Sequence, residues 1–480
     1  MNYKVLHYIV GCILKFEALF MILPVIVGLC YGEYKESLCF AAVAIFCCGL
    51  GFLETTIGSR KGNLYVKEGF AAVSLGWIVL SLFGSLPFML TGEIPHFTDA
   101  LFETVSGFTT TGASIVTDVE ALSHASIFWR SFTQWIGGMG VFVFIMAILP
   151  MMGGSTMNLM KAESTGPSVG KLLPKVKDTA KILYMIYISL TVIVVILLLI
   201  CGLPLFDSMT LAFGTTGTGG FAIDNSFTAN GNVAAQIVIT VFMIISGINY
   251  SAFFLIISKQ FKDAFMLEEV RAYLGAVLVS GLLIAGNIYQ IYQNVGDALR
   301  HAFFQVGSIV TTTGYASADF DIWPAFSKTI LLLLMFTGGC AGSTAGGFKF
   351  SRVVILFKTI RKELSNLIHP NLVKVIKMDG HALKDEVIRS TNVFTAAYFI
   401  ILLFSLLLIS IDGQDLTTSF TTTVTMLNNV GPGFGLVGPT CNYSFFSDFS
   451  KFVMIFDMLA GRLEIYPMLI FFHPACWKKY

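Results

Sequence analysis

The chain has 480 residues, of which 55% are hydrophobic and 12% charged, with a net charge of +1. A soluble domain carries about a quarter charged residues, so this composition excludes an ordinary soluble domain. The near-zero charge gives no field that points to nucleic acid or an acidic partner. The nine Cys, several of them in apolar runs (Cys12, Cys47, Cys48, Cys201, Cys340), have no C-x-x-C spacing and predict neither a disulfide framework nor a zinc site; the seven His are equally dispersed.

Apolar segments long enough to cross a bilayer recur at roughly 5–31, 38–58, 69–91, 125–150, 179–204, 233–258, 272–292, 324–358, 388–411 and 450–474. The first carries Lys15 and Glu17 and no small-residue cleavage site, so it reads as a retained helix rather than a signal peptide. The first two segments predict a hairpin (1–66). The other eight pair around four segments too short to span: 99–111, 207–218, 297–313 and 415–430. Those fit half-helices that enter the membrane and return, which is tolerated only where the backbone is buried in protein or lines water. The expected fold is an all-α polytopic membrane protein. The hairpin precedes four pseudo-repeated helix–pore loop–helix modules (67–160, 161–265, 266–365, 366–480) around a central pore.

Each half-helix runs into a Thr/Gly-rich turn: TTTGAS (109–114), GTGGFA (217–222), TTTGYA (311–316) and NVGPGF (429–434). Taking Gly112, Gly219, Gly314 and Gly431 as markers, the separations are 107, 95 and 117 residues. That period is too long for a solenoid unit and suits duplicated membrane modules. The stretches holding the turns (92–125, 203–233, 293–323, 411–450) contain one basic residue, Arg300, and thirteen Asp or Glu; the alternate stretches hold twenty-three of the thirty Lys and Arg. The positive-inside rule therefore places all four turns outside and both termini in the cytoplasm. A half-helix entering from outside points its C-terminal, partly negative end inward, which favours a cation, and an Asp near each start (Asp99, Asp207, Asp297, Asp415) suits an N-terminus. The turns carry no charged side chain, so the coordinating groups are neutral oxygens, mainly backbone carbonyls with Thr hydroxyls. Such groups suit a weakly hydrated monovalent cation, whereas a divalent one usually recruits carboxylates. Glycine is needed where the backbone turns its carbonyls toward a narrow axis.

The segment 324–358 is longer than one span needs and contains TGGCAGSTAGGFK (337–349), with Gly338, Gly339, Gly342, Gly346 and Gly347 in one window. Glycine disfavours a helix interior by about 1 kcal/mol each, so a break is expected there. It serves either close packing of helices through small residues or a flexible loop in the pore. The window fails the G-x-x-x-x-G-K-[ST] pattern and follows no soluble strand, which argues against a phosphate loop. Arg462 lies in the last apolar span near Asp457 and Glu464; it either closes a buried salt bridge or faces a wet cavity. Arg130 with Gln134 reads as structural, and Gly137, Gly138 and Gly140 around Met139 read as close helix contact.

The segments SLPF (85–88), SGFTTTGAS (106–114), FWRSFTQWIGGMG (128–140), AILP (147–150), TGGFA (218–222), TTTGYA (311–316), GGCAGSTAGGFK (338–349), LNNVGPGFG (427–435) and GRLEIY (461–466) together resemble the superfamily of potassium transporters that spans the bacterial Trk and Ktr and plant HKT types, most closely the TrkH type. The resemblance covers nearly the whole chain. It implies a potassium uptake protein of the bacterial inner membrane, not an enzyme. Its selectivity filter would be formed at Thr110, Thr111, Gly112, Thr218, Gly219, Thr312, Thr313, Gly314, Asn429, Val430 and Gly431. Some sodium-preferring plant relatives have Ser for the first filter Gly; this chain has Gly at all four positions. The fourth turn lacks Thr and carries Pro432, so the filter is expected to be only pseudo-symmetric. The resemblance also implies an intramembrane gating loop with Gly338, Gly339, Gly342, Ser343, Gly346 and Gly347, and a positive barrier at Arg462 under the filter. It implies a homodimer and a cytosolic TrkA-like nucleotide-binding regulatory subunit. The largest inner loop (359–387) is too short for a nucleotide domain, so this chain is expected to hold no cofactor, and nucleotide control would come from another chain. The basic inner loops serve equally well as topology determinants alone.

Two alternatives remain beside potassium uptake through a pore. A sodium- or proton-coupled symporter on the same scaffold would need intramembrane carboxylates, for which Glu103 and Asp457 are the candidates. A non-conducting receptor or structural subunit would have no use for four Gly-rich re-entrant turns. An intramembrane enzyme is disfavoured, because no H-E-x-x-H motif, Ser–His pairing or acidic cluster occurs in the apolar spans.

Overall fold

The computed structural model describes residues 1–59, 66–138, 140, 176–370 and 374–478. In chain order the helices are α1 Tyr3–Phe20, α2 Ile22–Tyr31, α3 Tyr34–Ile57, α4 Val66–Gly84, α5 Leu86–Thr91, α6 Phe97–Phe108, α7 His124–Gly138, α8 Val176–Ile200, α9 Leu205–Gly217, α10 Val233–Ser246, α11 Tyr250–Ile257, α12 Phe261–Met266, α13 Glu268–Tyr292, α14 Val295–Val310, α15 Ala325–Thr337, α16 Phe350–Ile368, α17 Asp385–Ile409, α18 Leu416–Asn428, α19 Asp448–Arg462, α20 Tyr466–Phe472 and α21 Pro474–Trp477. A two-residue antiparallel pair, Lys377–Met378 with His381–Ala382, lies between α16 and α17.

Among the described residues, six helical segments are long and apolar enough to span: Tyr3–Tyr31, Tyr34–Ile57, Lys67–Thr91, Lys181–Ile200, Glu268–Tyr292 and Asp385–Asp412. A seventh, Val233–Ser246 with Tyr250–Ile257, is bent by 93°. The chain is thus a multi-pass, all-α membrane protein, but several of the ten expected spans are not continuous. Proline explains three breaks, since its ring clashes with the carbonyl four residues earlier. Pro24 follows Phe20 by four and parts α1 from α2; Pro87 follows Phe83 and parts α4 from α5; Pro467 follows Leu463 and parts α19 from α20. The expected span 324–358 is two helices, α15 and α16, joined by residues 338–349. Of the expected span 125–150, residues 141–150 lie outside the described residues, as do the AILP motif and the boundary between the first two modules.

The four half-helices are α6, α9, α14 and α18. Asp99, Asp207 and Asp297 stand in the first turns of α6, α9 and α14. Asp415 caps α18, accepting the Thr418 amide at 3.1 Å, and this bonding to Thr418 holds its carboxyl below the ordinary value. In the N-terminal hairpin α1 and α3 cross closely: a Cβ on Gly11 would come 2.7 Å from the Gly51 oxygen, and one on Gly51 2.8 Å from the Gly11 oxygen. Lys15 stays within the hairpin, donating to Thr55 Oγ1 at 2.7 Å.

Polarity runs opposite to that of a soluble protein. Leu38, Ile45, Ile200 and Leu407 are exposed on the outer faces of their spans, while Thr418, Thr421, Thr422, Thr423 and Thr425 of α18 are buried. Apolar side chains thus face lipid, and the hydroxyls are gathered inside around the four turns.

Candidate ion-filter site

The four half-helices end in the same way. One or two residues past each helical end the chain adopts a left-handed conformation: Thr110 (φ 56°), Thr218 (φ 55°), Thr312 (φ 56°) and Asn429 (φ 56°). For a β-branched Thr this region is strained, by about 1–2 kcal/mol per residue. The strain is held by the next amide, which in every turn donates back to the carbonyl five residues earlier: Thr111 to Ser106 (2.9 Å), Gly219 to Gly214 (2.9 Å), Thr313 to Ser308 (2.8 Å) and Val430 to Thr425 (2.9 Å). The next residue is a glycine with positive φ: Gly112 (77°), Gly220 (68°), Gly314 (85°) and Gly431 (95°).

This geometry shifts the register of the second turn. Gly220, not Gly219, occupies the place of Gly112, Gly314 and Gly431, and Gly219 corresponds to Thr111, Thr313 and Val430. The sequence GTGGFA offers several glycines, and spacing alone does not choose among them.

The glycines join the turns into a ring. A Cβ on Gly112 would fall on the Gly219 carbonyl oxygen, and one on Gly220 on that of Thr313. A Cβ on Gly314 would lie 2.5 Å from the Val430 oxygen, and one on Gly431 2.7 Å from the Thr111 oxygen. Each glycine therefore admits the carbonyl of the next turn, and the fourth turn closes on the first. Among the described residues, the carbonyls of Thr111, Gly219, Thr313 and Val430 accept no hydrogen bond from the protein. Thr110, Thr111, Thr218, Thr312, Thr313, Asn429 and Val430 are all fully buried. Buried carbonyls without a protein donor are rare, and four of them on one ring form a neutral oxygen ligand set. Among the described residues no group of three or more His, Cys, Asp or Glu side chains could hold a metal ion.

Hydroxyls and amides brace the ring from behind. Thr109 and Thr311 Oγ1 lie 2.7 Å from Thr111 and Thr313 Oγ1 respectively. Asn429 Nδ2 donates to Thr111 Oγ1 (3.0 Å) and to Met458 O (2.9 Å), tying the fourth turn to the first. Gln134 Oε1 accepts the Phe221 amide at 3.2 Å. Arg130 Nε donates to Glu103 Oε1 at 2.8 Å, and its Nη1 donates to Ala222 O at 3.1 Å. Glu103 in turn accepts from Ser114 Oγ (2.9 Å) and the Ile115 amide (3.0 Å). This buried pair holds the segments that follow the first two turns, so Glu103 is engaged as structure. At the outer edge Lys451 Nζ, on α19, reaches Asp99 Oδ1 of α6 at 2.6 Å. Gly137 and Gly138 allow α7 to touch the ends of α6 and α9, at Phe108 and Gly217.

The segment 338–349 lies directly against the ring. The Gly346 amide donates to Thr312 Oγ1 at 2.7 Å, and a Cβ on Gly346 would come 2.5 Å from Asn428 O. Gly338 (φ 67°), Gly342 (φ 71°) and Gly347 (φ 80°) supply turns that side chains disfavour, and a Cβ on Gly339 would sit 2.5 Å from that of Ala345. Ser343 Oγ donates to Cys340 O within the loop, at 2.6 Å. Arg462 joins the three parts. Its Nη1 donates to Thr344 O (2.8 Å) and lies 3.3 Å from Thr110 Oγ1, while Nη2 donates to Gly137 O. Glu464, near Arg462 in sequence, pairs with Arg352.

The family model of TrkH, described as a cation transport protein, matches residues 36–280 and 266–479. The chain belongs to the TrkH family. It is 37% identical over 492 residues to the Trk system potassium uptake protein TrkH of Salmonella typhimurium (strain LT2), covering 100% of both chains. It is 33% identical to the Trk system potassium uptake protein TrkG of Escherichia coli (strain K12), covering 99% of each. The crystal structure of the potassium transporter TrkH from Vibrio parahaemolyticus superposes with a TM-score of 0.89 at 33% identity, covering 100% of both chains. The TrkH family is one of transporters rather than enzymes.

Within this TrkH-family fold, several residues at the loop were not legible from sequence. Glu269 Oε1, on α13, accepts the Ala341 amide at 2.6 Å and the Ser351 amide at 2.9 Å, gripping both sides of the loop. The break between α10 and α11 forms the opposing wall: Gly247 O accepts the Cys340 amide at 2.9 Å, and the Tyr250 amide donates to Gly342 O at 3.2 Å. Lys349, buried and at φ 77°, donates to Ala345 O. The one available signal was composition: a Gly and an Asn at 247 and 249 interrupt an apolar run, and Asn249 caps α11.

Proposed function

We propose that the chain takes potassium up across the bacterial inner membrane, passing it through the ring of Thr111, Gly219, Thr313 and Val430 carbonyls. The observation that carries the reading is the closed ring of four buried carbonyls without protein donors, backed by glycines and by no charged side chain. Potassium is weakly hydrated and exchanges its water for such neutral oxygens at low cost, whereas a divalent cation retains water or requires carboxylates. The names of the relatives, potassium uptake proteins over their full length, support the same ion.

Below the ring, the loop 338–349 and Arg462 act as the gate. The loop occupies Thr312 Oγ1 through Gly346, and the Arg462 guanidinium stands beside Thr110, so a cation leaving the ring meets both. The turns face outward and both termini lie in the cytoplasm, as the charge distribution argues. Control by a cytosolic, nucleotide-binding subunit and assembly as a homodimer belong to the same proposal; the Trk system named for the relatives supports several components. A coupled symport reading rests on Asp457, whose Oδ1 accepts from Ser405 while Oδ2 has no partner among the described residues.

The test is rubidium uptake into proteoliposomes of the purified chain, with potassium and sodium as competitors. Stronger competition by potassium, with flux that needs no sodium or proton gradient, is expected. Equal competition by sodium contradicts the choice of ion, and flux that requires such a gradient replaces the pore with the symporter.

A further inference from the structure

The four turns share one backbone path but differ at one oxygen. Among the described residues, the carbonyls of Gly112, Gly220 and Gly314 accept no hydrogen bond, whereas the Gly431 carbonyl accepts the Tyr443 hydroxyl at 2.6 Å. Tyr443 is buried, and its own amide donates to Ser114 O at 2.9 Å, which anchors it to the outward strand of the first turn. Its hydroxyl also lies 3.3 Å from Thr425 Oγ1, on the half-helix of its own module. Its ring packs against Phe102 of α6 and against Phe446, with centroids 5.9 and 6.2 Å apart. The side chain is thus fixed at both ends, with its donor aimed at a ring residue. The fourth turn is also the one with Val430 where the first and third have the Thr111 and Thr313 hydroxyls, and with Pro432 after the glycine. It lacks the Thr–Thr brace and has a tyrosine donor in its place.

We propose that Tyr443 is a positioning residue that sets ion discrimination by holding the Gly431 carbonyl. The inference rests on the filter reading given above. A carbonyl that already accepts an O–H shares its lone pairs and cannot swing freely. Gly431 directly follows Val430, so the held carbonyl also fixes the peptide beside the Val430 ring carbonyl. Discrimination between potassium and sodium depends on the field strength of the carbonyls and on how far they can close on a smaller ion. Releasing this carbonyl lets the ring tighten around sodium, so discrimination falls while potassium still passes.

The experiment is rubidium uptake in proteoliposomes, read as the ratio of sodium to potassium concentrations that halve uptake. Tyr443→Phe keeps the ring packing and removes only the hydroxyl. The expected result is retained potassium flux with the ratio lowered about two- to tenfold, the span set by the net worth of one hydrogen bond. Incorporating 4-aminophenylalanine at position 443 restores a donor in the same volume and is expected to return the ratio to its original value; a ratio as low as that of Tyr443→Phe overturns the donor role. Gly112→Ser runs in parallel. An unchanged ratio in Tyr443→Phe, with a changed one in Gly112→Ser, overturns the role of Tyr443 and leaves the filter standing. Unchanged ratios in both overturn the filter reading and this inference with it.

Discussion

Replacing Arg462 with Gln isolates the charge at the pore. Arg462 Nη1 stands 3.3 Å from Thr110 Oγ1, on the first filter turn. A cation passing Thr110 comes within roughly 6 Å of the guanidinium, and at an effective dielectric constant near 20 the repulsion is about 3 kcal/mol. Fully expressed in the barrier, that corresponds to about a hundredfold in rate. Arg462→Gln removes the charge and keeps an amide donor for Thr344 O or Gly137 O. The expected outcome is resting rubidium flux raised about ten- to a hundredfold, the lower end reflecting screening by water in the pore. Arg462→Lys keeps the charge while losing the two-armed contact, and its flux is expected to stay near that of the parent. The reasoning is refuted if Arg462→Gln, eluting as a homogeneous folded protein, conducts no faster than the parent. It is equally refuted if Lys and Gln raise flux alike, since loosened packing rather than charge would then be the cause.

The remaining expectations concern the supports of the ring and loop. Arg130→Met leaves Glu103 buried without its cation, and a thermal-unfolding assay is expected to show a loss of about 3–5 kcal/mol, part of it regained in Arg130→Met with Glu103→Gln; no loss in the single variant would contradict the structural role. Glu269→Ala removes the acceptor shared by the Ala341 and Ser351 amides, so hydrogen exchange across 340–351 should quicken by at least about tenfold. Unchanged protection there would show that the clasp does not hold the loop.

How much of this was readable in the sequence depended on the range of the interaction. The half-helices were legible because an Asp opens each and a Thr/Gly turn closes it, both local signals; their observed bounds differ from expectation by a few residues. The loop at 338–349 was legible because its glycines crowd one window. The bends at Met21, Ser85 and 463–465 were hidden by unbroken apolar composition, although Pro24, Pro87 and Pro467 carried the signal. The register of the second turn required the backbone: only the left-handed Thr218 and the amide of Gly219 bonded to Gly214 separate Gly219 from Gly220. Glu269 acts on amides 72 and 82 positions away and Tyr443 on a carbonyl 12 positions away, and nothing in their local sequence marks them. Arg462 stood out as an intramembrane charge, but that its contacts include two backbone carbonyls and a Thr hydroxyl required the structure.

The central claim is that ions are selected at the ring of turn carbonyls. Gly220→Ser tests it most directly, because a side chain at φ 68° would fall on the Thr313 carbonyl oxygen. Left-handed strain and the displaced carbonyl together are expected to lower potassium-over-sodium discrimination in rubidium uptake by about tenfold or more, an effect on the order of 1.4 kcal/mol. Discrimination unchanged from the parent, in a variant that still reconstitutes and conducts, would place ion selection elsewhere in the chain.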